Sequence, residues 1–439
     1  MTNQNLLSGN PTALIDAAMH TLHPSELPEI LSHWHDLLLT TEKGAIRPCL
    51  ANAITALRHA PEWAGVLVHN EFAERTAKLK PPPFPTGLGW WTDEDDRRTC
   101  DWLQHAGIMI GPNGAADAVA VASADHPVHP VREYLNGLVW DQTKRLDGWI
   151  FQCLGAQPDG EDAPERLAQM KYLKAVGSAW MISAVARVFQ PGAKADCCLI
   201  LEGRQGLKKS TALKVLGGEW FTDQLSDLSQ KDACMQVHGV WIVEIAELDA
   251  MTRSEVSAVK SFMSRTTDHF RPPYGRRVGD FPRQCVFAGS VNLSTYLKDE
   301  TGARRFWPVK CGEIDIPLFE ADRDQLWAEA VARYKAGEPW WIEDQAIEAT
   351  AQAEQAERYQ SDAWDSIIAE FCAVRDDVSV KEILADGLKL DVSRWGQAES
   401  NRVSRALRSL GWLRYYSGPR SKRTWRYRPV QSRLLEFGA

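Results

Sequence analysis

The 439-residue chain has no run of about 18 apolar residues, which argues against a membrane-spanning helix. It begins without a basic segment followed by an apolar one, so no secretory leader is expected and the chain reads as cytoplasmic. Its nine cysteines include no CxxC pair, which argues against a zinc ribbon and fits reduced thiols. Internal repeats and low-complexity tracts are also absent, which excludes solenoids and disordered linkers. What is there is ordinary for a globular protein: 44% hydrophobic and 25% charged residues, enough for two or three domains. Eighteen tryptophans stand out; most lie in apolar runs and are expected in cores.

Charge is unevenly spread. The whole chain carries −8, yet residues 371–439 hold 14 basic and 7 acidic side chains. Ten Lys or Arg and no Asp or Glu lie between Asn401 and Arg433. A basic end on an acidic body points to a polyanionic partner there.

Five stretches follow from the pattern. Residues 1–125 read as mostly helical, broken by Pro81, Pro82, Pro83 and Pro85, with Thr92 as a helix cap. Residues 126–195 form a helical lead-in; His126 and His129 lack the companions of a metal site and read as structural. Residues 196–316 alternate short apolar strands, at 197–201, 240–243 and 285–288, with helices, as in an α/β sheet. Residues 317–371 return to helix. Residues 372–439 hold helices followed by two aromatic strands around a Gly-Pro turn, the layout of a winged helix.

The strongest motif follows the first of these strands: Gly203, Arg204, Gln205, Gly206, Leu207, Lys208, Lys209, Ser210 and Thr211, opening a helix. Backbone N–H groups turned inward, a lysine and a hydroxyl at the start of a helix are what a triphosphate with Mg²⁺ requires. Lys208 stands where such loops have glycine. It must take a backbone angle usually left to glycine, at about 1 kcal/mol. Glu244, closing the second strand, is the candidate Mg²⁺ and water ligand beside Ser210; Glu247 is the candidate base. Asp249 reads as a helix cap. Asn292, after the third strand, can orient a water and sense a γ-phosphate. Arg271, Arg276 and Arg277 surround a Pro-Pro-Tyr-Gly turn, and Arg304 and Arg305 follow further on, each suited to phosphate groups. Arg402, Arg405 and Arg408 are spaced to share a helix face, and Arg420, Lys422 and Arg423 lie in the hairpin turn.

These motifs, in this order, resemble the virulence-associated protein E family of phage and mobile-element replication proteins. The resemblance rests on Trp140-Asp141 with Arg145-Leu146-Asp147, on residues 190–196, and on Leu201-Glu202-Gly203 with Lys209-Ser210-Thr211. It continues through residues 241–244 with Glu247-Leu248, residues 271–276, Asn292, residues 299–307 and residues 325–330.

The resemblance implies an α/β P-loop NTPase core related to superfamily 3 helicases and AAA+ ATPases. ATP and Mg²⁺ would be its cofactors, and six subunits would form a ring on single-stranded and duplex DNA. It implies a Walker B role for Glu244 with Glu247, a sensor role for Asn292, and a pore hairpin at 271–277. Arg304 or Arg305 would be the arginine finger. Residues 1–125 show no polymerase triad, so any primase would be a separate chain. The expectation is thus an ATP-driven DNA helicase or remodelling ATPase. The rivals are an ATP-switched origin-binding protein, or a defence or maturation ATPase acting on a protein.

Overall fold

The computed structural model describes residues 29–160, 162–225, 231–248, 250–271, 277–292, 296–297, 303–358, 363–417 and 424–429. They fall into two compact units, Met1–Ser294 with Arg304–Gln355, and Thr295–Ala303 with Ala356–Ala439. No helix among the described residues is long and apolar enough to cross a membrane.

The N-terminal part of the first unit is not simply helical. Helices α1 (Leu50–His59), α2 (Asp93–His105) and α3 (Pro112–Ala124) accompany four short strands, β1 (Leu67–Asn70), β2 (Arg75–Lys78), β3 (Gly89–Trp90) and β4 (Pro127–Val128). The sheet order is β3-β2-β1-β4. Strands of two to four residues are too short to show alternation in sequence, so helical periodicity alone was visible. The chain crosses the expected boundary at 126, because β4 pairs with β1. Thr92 caps α2 in a reciprocal capping box with Asp95. The core here gathers Trp34, Trp63, Leu103 and the small residues Ala53, Ala56, Ala115 and Ala118. Close approach of helices follows from those alanines.

His129 begins α4 (Pro130–Gly137). Its Nδ1 accepts from the Arg132 N–H at 3.1 Å, and its Nε2 meets Gln284 Oε1 at 2.6 Å. Burial pulls its pKa down, so the neutral ring suits this cap. Then α5 (Ala163–Phe189) is buried along most of its second half. It is apolar all round because the central sheet lies on it: the Trp180 indole donates to the Phe287 carbonyl at 2.8 Å.

That sheet has five strands: β5 (Cys198–Glu202), β6 (Phe221–Thr222), β7 (Ile242–Ala246), β10 (Val286–Val291) and β11 (Phe306–Lys310). The order is β11-β5-β10-β7-β6, every pair parallel. Parallel strands covered by helices on both faces read as continuous apolar runs, as 197–201 and 285–288 do. Helices α6 (Lys209–Gly217), α7 (Lys231–Gln236), α8 (Arg253–Met263), α9 (Ile316–Lys335) and α10 (Gln345–Glu357) follow the strands. Trp149, Trp180, Trp241 and Trp327 are among the largest fully buried side chains. A separate antiparallel pair, β8 (Thr267–Phe270) and β9 (Gly279–Pro282), stands between α8 and β10.

The second unit holds α11 (Asp365–Cys372), α12 (Gln397–Ser409) and the hairpin β12 (Trp412–Ser417) and β13 (Thr424–Pro429). Val378 forms an antiparallel bridge with Tyr427. The core joins Ile368, Cys372, Val378, Leu384, Val403, Leu407, Trp412 and Tyr427. The expected boundary at 371/372 therefore falls inside α11, whose Ile368 and Cys372 face this core. Apolar periodicity marks a helix but does not say which core it serves.

Candidate functional site

The site lies where the strands of the central sheet end. Strand β5 is buried at all five positions, so the chain leaves the core abruptly at Glu202. Gly203 turns at φ +143°, and a Cβ there would meet Leu207 Cδ1 at 2.6 Å; glycine is required by both angle and space. Gly206 follows at φ +88°. Lys208 caps α6 at φ 63°, ψ 29°, the left-handed conformation a glycine would take. The exposed Lys208 side chain lets the loop keep its course, at about 1 kcal/mol of backbone strain.

Lys209 is 6% exposed and is held by backbone and side-chain oxygens. Its Nζ donates to the carbonyls of Gly203 (2.6 Å) and Arg204 (3.1 Å) and to Asn292 Oδ1 (3.1 Å). Asn292 stands just past β10, the strand beside β5. Ser210 Oγ donates to Glu244 Oε1 at 2.7 Å. Glu244 does not end its strand as the apolar run suggested: it is the middle residue of β7, opposite Ala288, and 1% exposed. Strand residues alternate faces, so this carboxylate is aimed at α6. Its second oxygen, Oε2, is buried with no hydrogen-bond partner among the described residues. An ionised oxygen in that state is costly, and a hard cation beside it and the Ser210 hydroxyl would satisfy it. Serine hydroxyl and carboxylate are the donors Mg²⁺ prefers, so the residues present fit that ion.

Glu247 is exposed at φ 54°, a strained angle for a residue that is not glycine. Gln205, Gly206 and Thr211 lie on the exposed side of the loop and helix start. Leu207 is buried beneath the loop. The Cys311 thiol near the site is inert, as is Cys197 at the other end of β5: burial pushes Cys311 up to about 12 against the pull of Lys209. Burial, aided by Asp196, does the same to Cys197, also to about 12. Asp249 lies outside the described residues.

The arginines separate. Arg304 and Arg305 precede β11, and Phe306 aligns with Cys198, the first residue of β5. They sit at the opposite end of the strands from Lys209, about 13 Å away along a five-residue strand. Arg305 is ion-paired with Asp196 (3.3 Å), whereas Arg304 is exposed. Arg271 and Arg277 are exposed on either side of the β8–β9 turn; Arg276 lies outside the described residues. Below them Arg283 forks onto Asp268 (2.7 and 2.8 Å), both essentially buried. Arg283 also donates to the Phe262 carbonyl and lies over the Phe262 ring at 4.0 Å. Asp268, buried in β8 beside Arg265 and Arg283, had no sequence signal beyond its place in a hairpin.

Other motif residues prove to be internal ties. Glu329 Oε2 accepts from the N–H groups of Arg145 (2.6 Å) and Leu146 (2.8 Å), and Gln325 Oε1 from Asp141 N–H (2.9 Å). Arg333 joins Asp147 and Glu329. The stretch 140–147 and the helix segment 325–330, both quoted for the resemblance, are thus partners of each other.

In the second unit Arg402 lies over the Trp364 ring (3.8 Å), Arg405 faces Asp365 (3.8 Å) and Arg408 is exposed. Arg420, Lys422 and Arg423 lie outside the described residues.

The model of the virulence-associated protein E-like domain matches residues 135–360, just over half of the chain. The chain belongs to this family. No curated protein matches it. Among solved structures it is similar to the A form apo structure of the NrS-1 C terminal region, at 11% identity and TM-score 0.34, covering 67% of this chain and 78% of that one. A second apo structure of that region aligns at 10% identity and TM-score 0.35, covering 82% and 95%.

Proposed function

We propose that the chain is a P-loop ATPase that acts on DNA as a helicase or remodelling motor in phage or mobile-element replication. One observation carries this reading: Lys209, Ser210 and Asn292, at the carboxyl ends of the adjacent parallel strands β5 and β10, meet Glu244 from the middle of β7 under a glycine-turned loop that opens a helix. Ligands of open parallel sheets bind at that edge. A buried cation held by neutral carbonyls gains on exchanging them for phosphate oxygens, because their negative charge adds Coulomb attraction to the hydrogen bond.

In this reading Lys209 receives the β- and γ-phosphates and the N–H groups at 204–209 line the cradle. Ser210 and Glu244 would hold Mg²⁺, which when bound would supply positive charge against the phosphate oxygens. Asn292 leaves Lys209 to orient the attacking water, and Glu247 takes its proton. Arg304 is the better candidate finger, since Arg305 is committed to Asp196 of its own subunit. Its distance from Lys209 within one chain means that it would act on a neighbour's nucleotide, which calls for a closed ring, six-membered by family analogy. The β8–β9 hairpin would present Arg271, Arg276 and Arg277 to a DNA strand. The second unit would be a winged helix that docks duplex DNA through Arg408, with Arg402, Arg405, Arg420, Lys422 and Arg423 as further phosphate contacts. A primase would be a separate partner.

The test is ATP hydrolysis by the full chain with and without single-stranded DNA, followed by strand displacement. Turnover stimulated by DNA, with displacement, is expected. Nucleotide binding without displacement would leave the motor reading without support and favour an ATP-governed switch.

A further inference from the structure

Helix α5 ends in a buried and almost wholly apolar run, and one charged side chain stands in it. Arg187 has no exposed surface and is the one charged residue among those that α5 buries. Its guanidinium donates to the Arg283 carbonyl at 3.3 Å and to the Ala195 carbonyl at 3.2 Å. The neighbouring carboxylates are taken, Asp268 by Arg283 and Asp196 by Arg305. Arg187 itself forms no ion pair among the described residues, and its Nε is buried without a hydrogen-bond partner there.

A buried guanidinium held by carbonyls alone is a poor way to add stability. Replacing buried charge by apolar side chains of similar volume is often neutral or stabilising. What the planar fork offers is reach, since it binds carbonyls of two segments at once.

Those segments meet at the amino ends of the central strands. Between Phe189 and Cys198 the chain has neither helix nor strand, so side chains and single backbone bonds set its course. The Gly192 N–H donates to the Arg283 carbonyl at 2.8 Å, the Trp340 indole donates to the Lys194 carbonyl at 2.8 Å, and Arg187 holds Ala195. The next residue, Asp196, faces Arg305 at 3.3 Å, and Arg304 adjoins Arg305. On the other side Arg283 is fastened to Asp268, so Arg187 binds the irregular segment to a buried ion pair.

Resting on the reading of Arg304 as a finger between subunits, we propose that Arg187 is its positioning residue. By fixing Ala195 it fixes Asp196. Asp196 holds Arg305, and Arg305 sets where the exposed Arg304 leaves the surface. A displacement of about 1 Å in such a group costs up to about 100-fold in rate. Arg187 touches no nucleotide itself. It binds the chain at the end of β5 remote from Lys209, so its effect falls on the neighbour's site and not on its own.

Subunit mixing separates the two sites. Lys209→Ala chains lack a working loop but present Arg304; Arg304→Ala chains keep the loop and lack the finger. Assembled in equal amounts, they complete roughly a quarter of the sites, half of the loops meeting half of the fingers. Single-turnover hydrolysis counts those sites whether or not the ring goes on to cycle. Arg187→Met added to the Lys209→Ala chain is expected to lower the single-turnover rate at least about 10-fold. Added to the Arg304→Ala chain, it should leave the rate within about twofold, as for distant sites. Arg187→Lys on the finger-bearing chain keeps the charge but not the fork. It should recover part of the loss, and it carries the same comparison if Arg187→Met does not fold. Equal losses on both chains, or no loss on either, would overturn the positioning role alone. No hydrolysis by the parent mixture, with Arg187 intact, would overturn the finger reading and the positioning role with it.

Discussion

The loop at 203–211 and the hairpin at 412–429 treat polar and apolar groups in opposite ways. In the loop, polar groups are withdrawn from water and satisfied by one another: Lys209 by carbonyls and Asn292, Ser210 by Glu244. Among the described residues Glu244 Oε2 is buried without a hydrogen-bond partner. In the hairpin, apolar area is left in water: Tyr416 and Trp425 lie outside a core that is already complete. A site at the edge of a parallel sheet can be built from buried charge because strand ends and a helix start surround it. A two-stranded hairpin has no such interior, and any ligand it held would meet surface side chains.

The comparison breaks most easily at the loop. Lys209→Ala should lower ATP turnover by a factor of about 100 or more, since it removes the main fixed charge at the phosphates, as steady-state phosphate release will register. An unchanged rate would mean that the buried lysine is only structural. The next largest effect concerns the base of the β8–β9 hairpin. Asp268→Ala leaves Arg283 buried without its carboxylate and should cost about 3–5 kcal/mol of stability, measurable by denaturant unfolding.

Arg304→Ala and Arg305→Ala should differ in kind. The first should leave stability within about 0.5 kcal/mol and, mixed into wild-type assemblies, lower turnover out of proportion to its share. The second loses the half-buried pair with Asp196 and should reduce stability as well. A proportional fall on mixing Arg304→Ala would argue against sites shared between subunits. Lys208→Gly is expected to be mild. The left-handed strain is relieved while the unfolded chain gains freedom, so stability should change by less than about 1 kcal/mol.

The smallest effect is a pH dependence. Burial lowers the pKa of His129, which faces Gln284, Arg132 and Glu71, and of His238, which faces Asp268 and Arg283. In the folded chain both take up a proton only at lower pH than unfolded histidine, which does so near pH 6.5. Their contribution is therefore complete above about pH 6.5 and is lost as pH falls below it toward the folded values. Unfolding midpoints measured between pH 7 and 5.5 should decline, and His129→Gln should flatten part of that decline.

How much was legible in the sequence follows the same division. The loop was legible because glycines, lysine and serine at fixed spacing answer to one geometry, and strand–loop–helix order framed them. Glu244 was read as closing its strand, which runs on for two more residues to Ala246, since apolar runs do not mark where pairing stops. The N-terminal sheet was illegible because its strands are two to four residues long. Spacing placed Arg402, Arg405 and Arg408 on one helix face. It could not foresee Trp364 and Asp365 beneath two of them, partners that only the tertiary fold supplies. The aromatic strands of the hairpin were plain, but which rings the core would cover was not.

The central claim is that the loop and the Glu244 carboxylate form a phosphate and cation site. The most direct measurement is equilibrium binding of ATP to the full chain, with and without Mg²⁺, in wild type, Lys209→Ala and Glu244→Gln. The account predicts Mg²⁺-dependent binding in wild type, loss of affinity in Lys209→Ala, and loss of the Mg²⁺ dependence in Glu244→Gln. Equal affinity in all three proteins, indifferent to Mg²⁺, would contradict it.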